Sequence, residues 1–356
     1  MKALIAMSGG VDSSVAALLT KEKGIDCIGC TMKLYAAEDT DLSPENSKTC
    51  CSLDDTEDAR SVAFRLGMPF YVFNYKDEFR AKVMEKFGHA YELGRTPNPC
   101  IDCNKYLKFG RLFERAEVLG CDYIVTGHYA RIEQGPDGKY ELKKALDESK
   151  DQSYVLYNLT QTQLAHTLFP LGGLTKAEAR AIAEKNGFVN ANKPDSQDIC
   201  FVPDGDYARV IELRTGRKLV PGNFVDLEGR VLGQHNGILH YTVGQRRGLG
   251  LAFGQPYYVV RVDAASNTVT LGPKEALFTR TALVEDFHWI AGQAPEEPFR
   301  CAAKIRYRHR EQPCLLTPLK GGGVRLDFDE PQRAVTPGQS AVVYDGDEVL
   351  GGGELV

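Results

Sequence analysis

From Lys2 to about residue 130, short apolar runs alternate with stretches whose apolar positions recur at helical spacing. That alternation predicts strands separated by helices, and hence a parallel sheet with helices on its faces. Lys2 to Met7 reads as a first strand and Ser13 to Lys23 as a helix stopped by Gly24. Ile25 to Met32 reads as a second strand, and Asp54 to Leu66 as a helix with Gly67 and Pro69 behind it. Phe70 to Tyr75 is a third strand, Asn104 to Leu119 a helix, and Tyr123 to Thr126 a later strand. The pattern then loosens into a hairpin around Gln134 to Gly138. Helices follow over Thr160 to Leu168 and Thr175 to Asn186, the second opening on a capping box of Thr175 and Glu178.

Past Pro203 glycines become frequent and helical spacing gives way to short alternating runs. Tyr257 to Val262 and Thr268 to Leu271 read as a hairpin. From Thr281 onward a small antiparallel barrel is expected, with strands near Ala302 to Arg310, Val324 to Phe328 and Ser340 to Tyr344. The shifts in pattern divide the chain into an α/β domain over 1–204, a small β-rich domain over 205–275 and a C-terminal β-barrel over 276–356. No internal repeat is visible.

The composition, 43% hydrophobic and 26% charged, is that of a globular protein. No apolar run approaches the roughly 20 residues of a membrane span. The apolar stretch at Met1 to Met7 is too short for a signal peptide, so a cytoplasmic location is expected. A net charge of −5 argues against indiscriminate nucleic-acid binding but leaves room for local basic surfaces. Ten cysteines in a reducing compartment are unlike a disulfide framework, which turns attention to those that carry chemistry.

Ser8-Gly9-Gly10-Val11-Asp12-Ser13 lies between the first strand and the first helix. Two glycines let the backbone fold closely around an anion, and the helix beginning at Ser13 points its N–H groups back at it. The hexad is neither a Walker A nor a dinucleotide fingerprint. It resembles the pyrophosphate loop of the PP-loop ATP pyrophosphatases, which cleave ATP between the α and β phosphates to adenylate an acceptor. Asp12 is the expected partner of Mg²⁺ on those phosphates. The loop alone does not name the acceptor, and a metabolite ligase would carry it too.

The cysteines narrow the choice. Cys27 and Cys30 fall in a strand, where a separation of three sends side chains to opposite faces, so they read as core. Cys121, Cys301 and Cys314 read as packing, and Cys50 with Cys51 leaves a redox or metal role open. Cys100 and Cys103 lie in Arg95-Thr96-Pro97-Asn98-Pro99-Cys100-Ile101-Asp102-Cys103-Asn104. With a helix expected from Asn104, Cys103 sits at a helix N-terminus, where the macrodipole favours thiolate. Cys200, among Asp195, Ser196, Gln197, Asp198 and Ile199, is expected in an exposed polar loop.

Together these stretches resemble the bacterial tRNA-specific 2-thiouridylases. The match runs in order through SGGVDS, GRTPNPC–CNKYLKF, TGHYAR at Thr126 to Arg131, KDQSYVL at Lys150 to Leu156, KPDSQDICF at Lys193 to Phe201, GQRRGLG at Gly244 to Gly250, and PGQ at Pro337 to Gln339. The resemblance implies a PP-loop (adenine nucleotide α-hydrolase-like) catalytic domain and thiolation of the wobble uridine of glutamate, glutamine and lysine tRNAs. ATP would adenylate the uridine C2 oxygen. Cys200 would carry a persulfide and Cys103 would be the nucleophile that attacks it. Ala6, Met7, Ser8, Gly9, Gly10, Val11, Asp12, Ser13, Met32 and Gly127 would line the ATP site. His128 would face the same cleft, and Lys150, Asp151, Gln152, Arg306, Tyr307 and Gln339 would touch tRNA. A cysteine desulfurase or relay protein would supply sulfur. Some members carry Asp where this chain has Cys100, with the carboxylate here at Asp102 instead. That departure opens a second mechanism, in which Cys100, Cys103 and Cys200 hold a [4Fe–4S] cluster with one open iron.

Three basic features suit an RNA partner. Lys105, Lys108, Arg111 and Arg115 recur at helical spacing, and Arg246-Arg247 lie in a Gly-rich loop. Lys304, Arg306, Arg308 and Arg310 alternate along an expected strand and so share one face of the barrel. Tyr307 is placed to stack on a splayed-out base.

Overall fold

The computed structural model describes residues 1–35, 53–194, 199–202, 205–215, 219–251 and 254–356. Cys50, Cys51 and the 195–198 part of the Cys200 motif lie outside the described residues.

The first domain is built on a five-stranded, wholly parallel sheet in the order β3-β2-β1-β4-β7. Its strands are β1 (Lys2–Ala6), β2 (Asp26–Lys33), β3 (Phe70–Asn74), β4 (Tyr123–Val125) and β7 (Thr167–Leu168). The near-continuous apolar runs of β1 and β2 are what a sheet buried on both faces requires. Ala3 and Ile5 pack into one core with helices α1 (Val11–Glu22), α2 (Leu53–Arg65) and α8 (Lys176–Lys185), whereas Leu4 faces the other. Cys27 and Cys30 divide between the same two cores, and burial raises the pKa of both thiols. On the second face lie α3 (Lys76–Phe79), a π-helical turn over Arg80–Met84, α4 (Glu85–Glu92), α5 (Pro99–Asp102), a π-helix over Cys103–Arg111 and α6 (Leu112–Val118).

The expected helix over Thr160 to Leu168 is cut short. Thr160 and Gln163 form a capping box for α7 (Gln161–Ala165), and the chain then enters the sheet as β7. The Thr175 and Glu178 box opens α8 as expected. Past 203 a helix persists where none was expected, α9 (Tyr207–Thr215). A four-stranded sheet follows, in the order β10-β11-β8-β9, from β8 (Gly222–Val225), β9 (Val231–His235), β10 (Tyr258–Asp263) and β11 (Thr268–Gly272).

The C-terminal domain closes into a six-stranded barrel, because β12 (Phe278–Trp289) pairs with both β15 (Val324–Arg333) and β17 (Glu348–Leu355). The other strands are β13 (Phe299–Lys304), β14 (Gln312–Pro318) and β16 (Ser340–Asp345). The hairpin of β5 (Arg131–Gln134) and β6 (Tyr140–Lys143), from the first domain, joins this sheet through Lys143 opposite Glu348. Strand β16 is buried on both sides. Ala341 and Val343 face the barrel core, and Val342 and Tyr344 belong to the core of the first domain. The barrel is thereby fixed against the domain that carries the Gly-rich loop.

Candidate active site

The Gly-rich loop joins β1 to α1 with Gly10 at the N-cap. Gly9 adopts φ +75°, and a Cβ there would lie 2.3 Å from the Asp55 carbonyl oxygen, so only glycine fits. Ser13 and Ser14 turn their hydroxyls back to the Gly10 carbonyl at 3.0 and 3.1 Å. The Ser8 N–H donates to Ser13 Oγ at 3.2 Å. Gly127 abuts the start of α1, where a Cβ would lie 2.7 Å from Ser13 N. The first turn of α1 is thus wrapped by glycine backbone on two sides, the form an anion cradle takes.

Side chains remote in sequence hold this loop. Asn190, buried, donates from Nδ2 to the Gly9 carbonyl and to Ser14 Oγ, both at 2.9 Å. Lys193 pairs with Asp55 and Asp58 at 2.5 and 2.6 Å, bracing the residue whose backbone contacts Gly9. Lys176, at the start of α8, lies 2.7 Å from both carboxylate oxygens of Asp12, and the Tyr129 hydroxyl donates to Asp12 Oδ1 at 2.8 Å. Gln152 accepts from the Tyr129 N–H at 3.0 Å. A continuous chain therefore runs from the 150–152 segment through Tyr129 to Asp12 and Lys176. Sequence reading missed Asn190 and Lys176. The Asn190→Ala variant is expected to raise the KM for ATP roughly tenfold with little change in kcat, since a lost loop hydrogen bond contributes on the order of 1 kcal/mol. Pyrophosphate release against ATP concentration measures it.

The cysteines sit otherwise than expected. Asn98 caps the helix by accepting from the Cys100 N–H at 3.1 Å, and Pro99 occupies the first helical position. The helix therefore starts five residues earlier than the sequence suggested. Cys103 lies one turn inside it, where the π-helical stretch begins, and the first-turn dipole argument reaches Cys100 instead. Cys100 is exposed and Cys103 half-buried. Asp102 is buried and turned to Lys86 Nζ at 2.7 Å, so its carboxylate is engaged there. Neighbouring Asn104 is buried and donates to the Val155 carbonyl at 2.9 Å, tying the Cys103 turn to the 150–156 segment.

Cys200 is half-buried rather than exposed. Phe201 plants an edge-on ring against Phe79 and Phe87 at 5.7 and 5.3 Å, and the Tyr35 hydroxyl donates to the Cys200 carbonyl at 2.7 Å. Cys103 and Cys200 both pack against the same large core of the first domain. Among the described residues, Cys100, Cys103 and Cys200 included, no three His, Cys, Asp or Glu side chains are gathered to hold a metal.

Several side chains expected to meet tRNA make contacts within the chain, some of them between domains. Asp151 is buried and accepts from the Ala145 and Ser153 N–H groups and from Ser153 Oγ, with Lys304 Nζ at 3.5 Å. The Arg306 guanidinium donates to the Val243 and Ala334 carbonyls and to Thr336 Oγ1, joining the middle domain to the barrel. Gln339 Nε2 donates to the Thr96 carbonyl at 2.6 Å, and the Thr96 N–H donates to the Pro337 carbonyl. The loop ahead of Cys100 is thus clamped by the barrel. Strand β13 ends at Lys304, so the expected run of four basic residues on one strand face does not form. Nor do Lys105, Lys108, Arg111 and Arg115 make one free stripe. The π-helix changes their phase, Lys108 reaches His128, Arg111 pairs with Glu114 and Arg115 lies over the Phe73 ring. Tyr307 remains 38% exposed, its ring 5.8 Å from Tyr154. Arg246 and Arg247 are exposed in their loop, as expected.

The sequence comparisons decide what these parts belong to. Residues 1–204 match the family described as tRNA methyl transferase HUP domain, 210–273 its PRC-barrel domain and 279–355 an aminomethyltransferase β-barrel domain. The chain is 50% identical to the tRNA-specific 2-thiouridylase MnmA of Lachnoclostridium phytofermentans, over 100% of this chain and 99% of that one. It is 52% identical to the protein of that name from Geotalea uraniireducens, over 99% and 94%, and 49% identical to that of Clostridioides difficile, over 99% and 97%. This chain belongs to the tRNA-specific 2-thiouridylase family.

In this family member His128 is buried rather than open to a cleft. Its ring lies 6.0 Å from Phe109 and 5.8 Å from Phe169, with Thr126 Oγ1 2.6 Å from Nδ1. Burial, and then the Lys108 charge, hold its pKa well below the ordinary histidine value. The unfolded chain takes up a proton near pH 6.5, about the usual histidine pKa, and the native protein does not. His128 therefore leaves stability unchanged above that pH and erodes it as pH falls below. Urea unfolding from about pH 7.5 down to about pH 5.5, one unit either side of that pKa, is expected to show a shallower acid loss for His128→Gln than for the parent chain.

Proposed function

We propose that this chain is an ATP-dependent sulfurtransferase that replaces the C2 oxygen of a tRNA uridine with sulfur, through a persulfide on Cys200. The observation that supports the reading is that one domain carries both an anion cradle at residues 8–13 and two half-buried cysteines, Cys103 and Cys200, packed against one core. The family's own substrates, the wobble uridines of glutamate, glutamine and lysine tRNAs, are the proposed ones here.

Each step has a residue to perform it. The glycine backbone and the first turn of α1 receive the ATP phosphates, and Lys176 and Asp12 lie at that end of the site. Attack of the uridine O2 on the α-phosphorus releases pyrophosphate and turns O2 into the leaving group AMP. The Cys103 thiolate then attacks the Cys200 sulfur of the persulfide. A Cys103–Cys200 disulfide forms and hydrosulfide leaves, adds to C2 and expels AMP. An external dithiol reduces the disulfide, and a cysteine desulfurase or relay protein reloads Cys200. Mg²⁺ would arrive with the triphosphate, with Asp12 the loop's carboxylate, and when bound would neutralise phosphate charge.

The tRNA would reach the site with its target base out of the stack. Tyr307, exposed beside Tyr154, is the aromatic surface offered to it, and Lys150, Arg246 and Arg247 are proposed phosphate contacts. The test is thiolation of glutamate tRNA by the purified chain with ATP, followed by nucleoside mass spectrometry. Tyr307→Ala is expected to lower kcat/KM for tRNA about tenfold while ATP binding holds, a stacking contact contributing about 1–3 kcal/mol. An unchanged kcat/KM would remove Tyr307 from the interface.

A further inference from the structure

The two barrel cysteines do more than fill space. Cys301 in β13 and Cys314 in β14 are direct register partners across an antiparallel pair, with their sulfurs 3.6 Å apart. Directly opposed strand residues hold their Cβ atoms at about 4.5–5.5 Å, close to the separation that a disulfide bridges. Side-chain rotation with a small closure of the strands is then enough to bring the sulfurs into bonding distance. We propose that Cys301 and Cys314 form a thiol–disulfide modification site that small-molecule disulfides oxidise to an intramolecular bond.

The two thiols are unequal, which fixes the order of events. Cys314 is fully buried in the barrel core, and Cys301 lies half-exposed at its edge. Arg300, beside Cys301 in the chain, adds a positive charge near that sulfur, whereas burial raises the Cys314 pKa. Cys301, the accessible sulfur of the two, is therefore the one that attacks as thiolate. It displaces one thiolate from the small disulfide and forms a mixed disulfide. Cys314 then attacks the Cys301 sulfur, the second thiolate leaves, and the protons of the two cysteines end on the two released thiols. Two cysteine thiols are oxidised and one disulfide is reduced.

The position gives the bond a consequence. The connection between β13 and β14 carries Arg306, whose guanidinium joins the middle domain to the barrel, and Tyr307, which leans on Tyr154 of the first domain. A bond across the base of this connection closes it into a short covalent loop. The site is separate from Cys103 and Cys200, and the inference does not rest on their proposed sulfur transfer.

The test uses the full chain with Cys103 and Cys200 both changed to serine, so that any disulfide of the proposed catalytic pair is removed. After incubation with oxidised glutathione, alkylation and digestion, mass spectrometry is expected to find the Cys301-to-Cys314 cross-linked peptide. In the Cys314→Ala variant Cys301 is expected to stop as the glutathione mixed disulfide, and in Cys301→Ser Cys314 is expected to stay reduced. Trypsin cleavage after Arg308 and Arg310 is expected to slow several-fold in the oxidised protein. Circular dichroism on each variant establishes that the barrel is folded. Cys301 left reduced, or carried only as a mixed disulfide in the chain that retains Cys314, would overturn the site. Unaltered trypsin cleavage after cross-linking would overturn its effect on the connection.

Discussion

Serine in place of Cys200 is expected to stop 2-thiouridine formation while ATP is still cleaved to AMP and pyrophosphate. In the proposed reaction the two half-reactions use separate parts of the site. The phosphate loop is held by Asn190, Lys193 and Lys176, none of which touches Cys200 among the hydrogen bonds and ion pairs described. Cys200 is held from the other side, by Phe201 in its aromatic socket and by Tyr35. A hydroxyl cannot carry sulfane sulfur, so the loss in kcat should exceed about 10³-fold, as for removal of a covalent nucleophile. Cys103→Ser should show an equal loss with a distinct signature, since persulfide then accumulates on Cys200 and adds one sulfur atom to the intact mass. Nucleoside mass spectrometry and pyrophosphate release on the same samples separate the two half-reactions. Parallel loss of both would show that the cysteines act in adenylation or folding.

The second large effect is expected from Lys176→Ala. Its ammonium, with the side chain only 12% exposed, lies between the Asp12 carboxylate oxygens, and Tyr129 donates to the same carboxylate. Removing the lysine leaves Asp12 without its cation at the mouth of an anion site, so ATP meets an uncompensated negative charge. The expected loss is about 10²-fold in kcat/KM for ATP, the order found when one electrostatic stabiliser is deleted from a phosphoryl or acyl site. Lys176→Arg, which keeps the charge, should recover part of it. Loss in the alanine variant with no recovery in the arginine variant, together with a lowered Tm in both, would assign Lys176 to stability alone.

Much of this architecture was legible along the chain. The alternation of apolar runs with helical spacing predicts β1, α1, β2, α2 and β3 to within a residue or two, and all but the edge strand β3 bury several residues. Local rules failed where the deciding contact is distant. Pro99 suits either the end of one element or the first position of the next, and the Asn98 cap chooses the second. The basic alternation from Lys304 to Arg310 mimics a strand, yet the chain turns away so that Arg306 reaches carbonyls of two other segments. Strand β17, not among the strands expected, carries Gly351, Gly352 and Gly353. A Cβ on Gly351 or Gly353 would lie 2.1 or 2.4 Å from carbonyl oxygens of β12, so these glycines let the barrel close. Asn190 and Lys176 join the loop across 164 to 181 residues of chain, a separation that carries no local signal.

The most direct measurement is 2-thiouridine formation on glutamate tRNA by iron-free protein, supplied with ATP and a persulfide donor. The account predicts one thiolated nucleoside per AMP released, abolished by Cys200→Ser. Thiolation that requires added iron and proceeds in the absence of Cys200, or AMP release onto a metabolite acceptor with no thiolated tRNA, would contradict it.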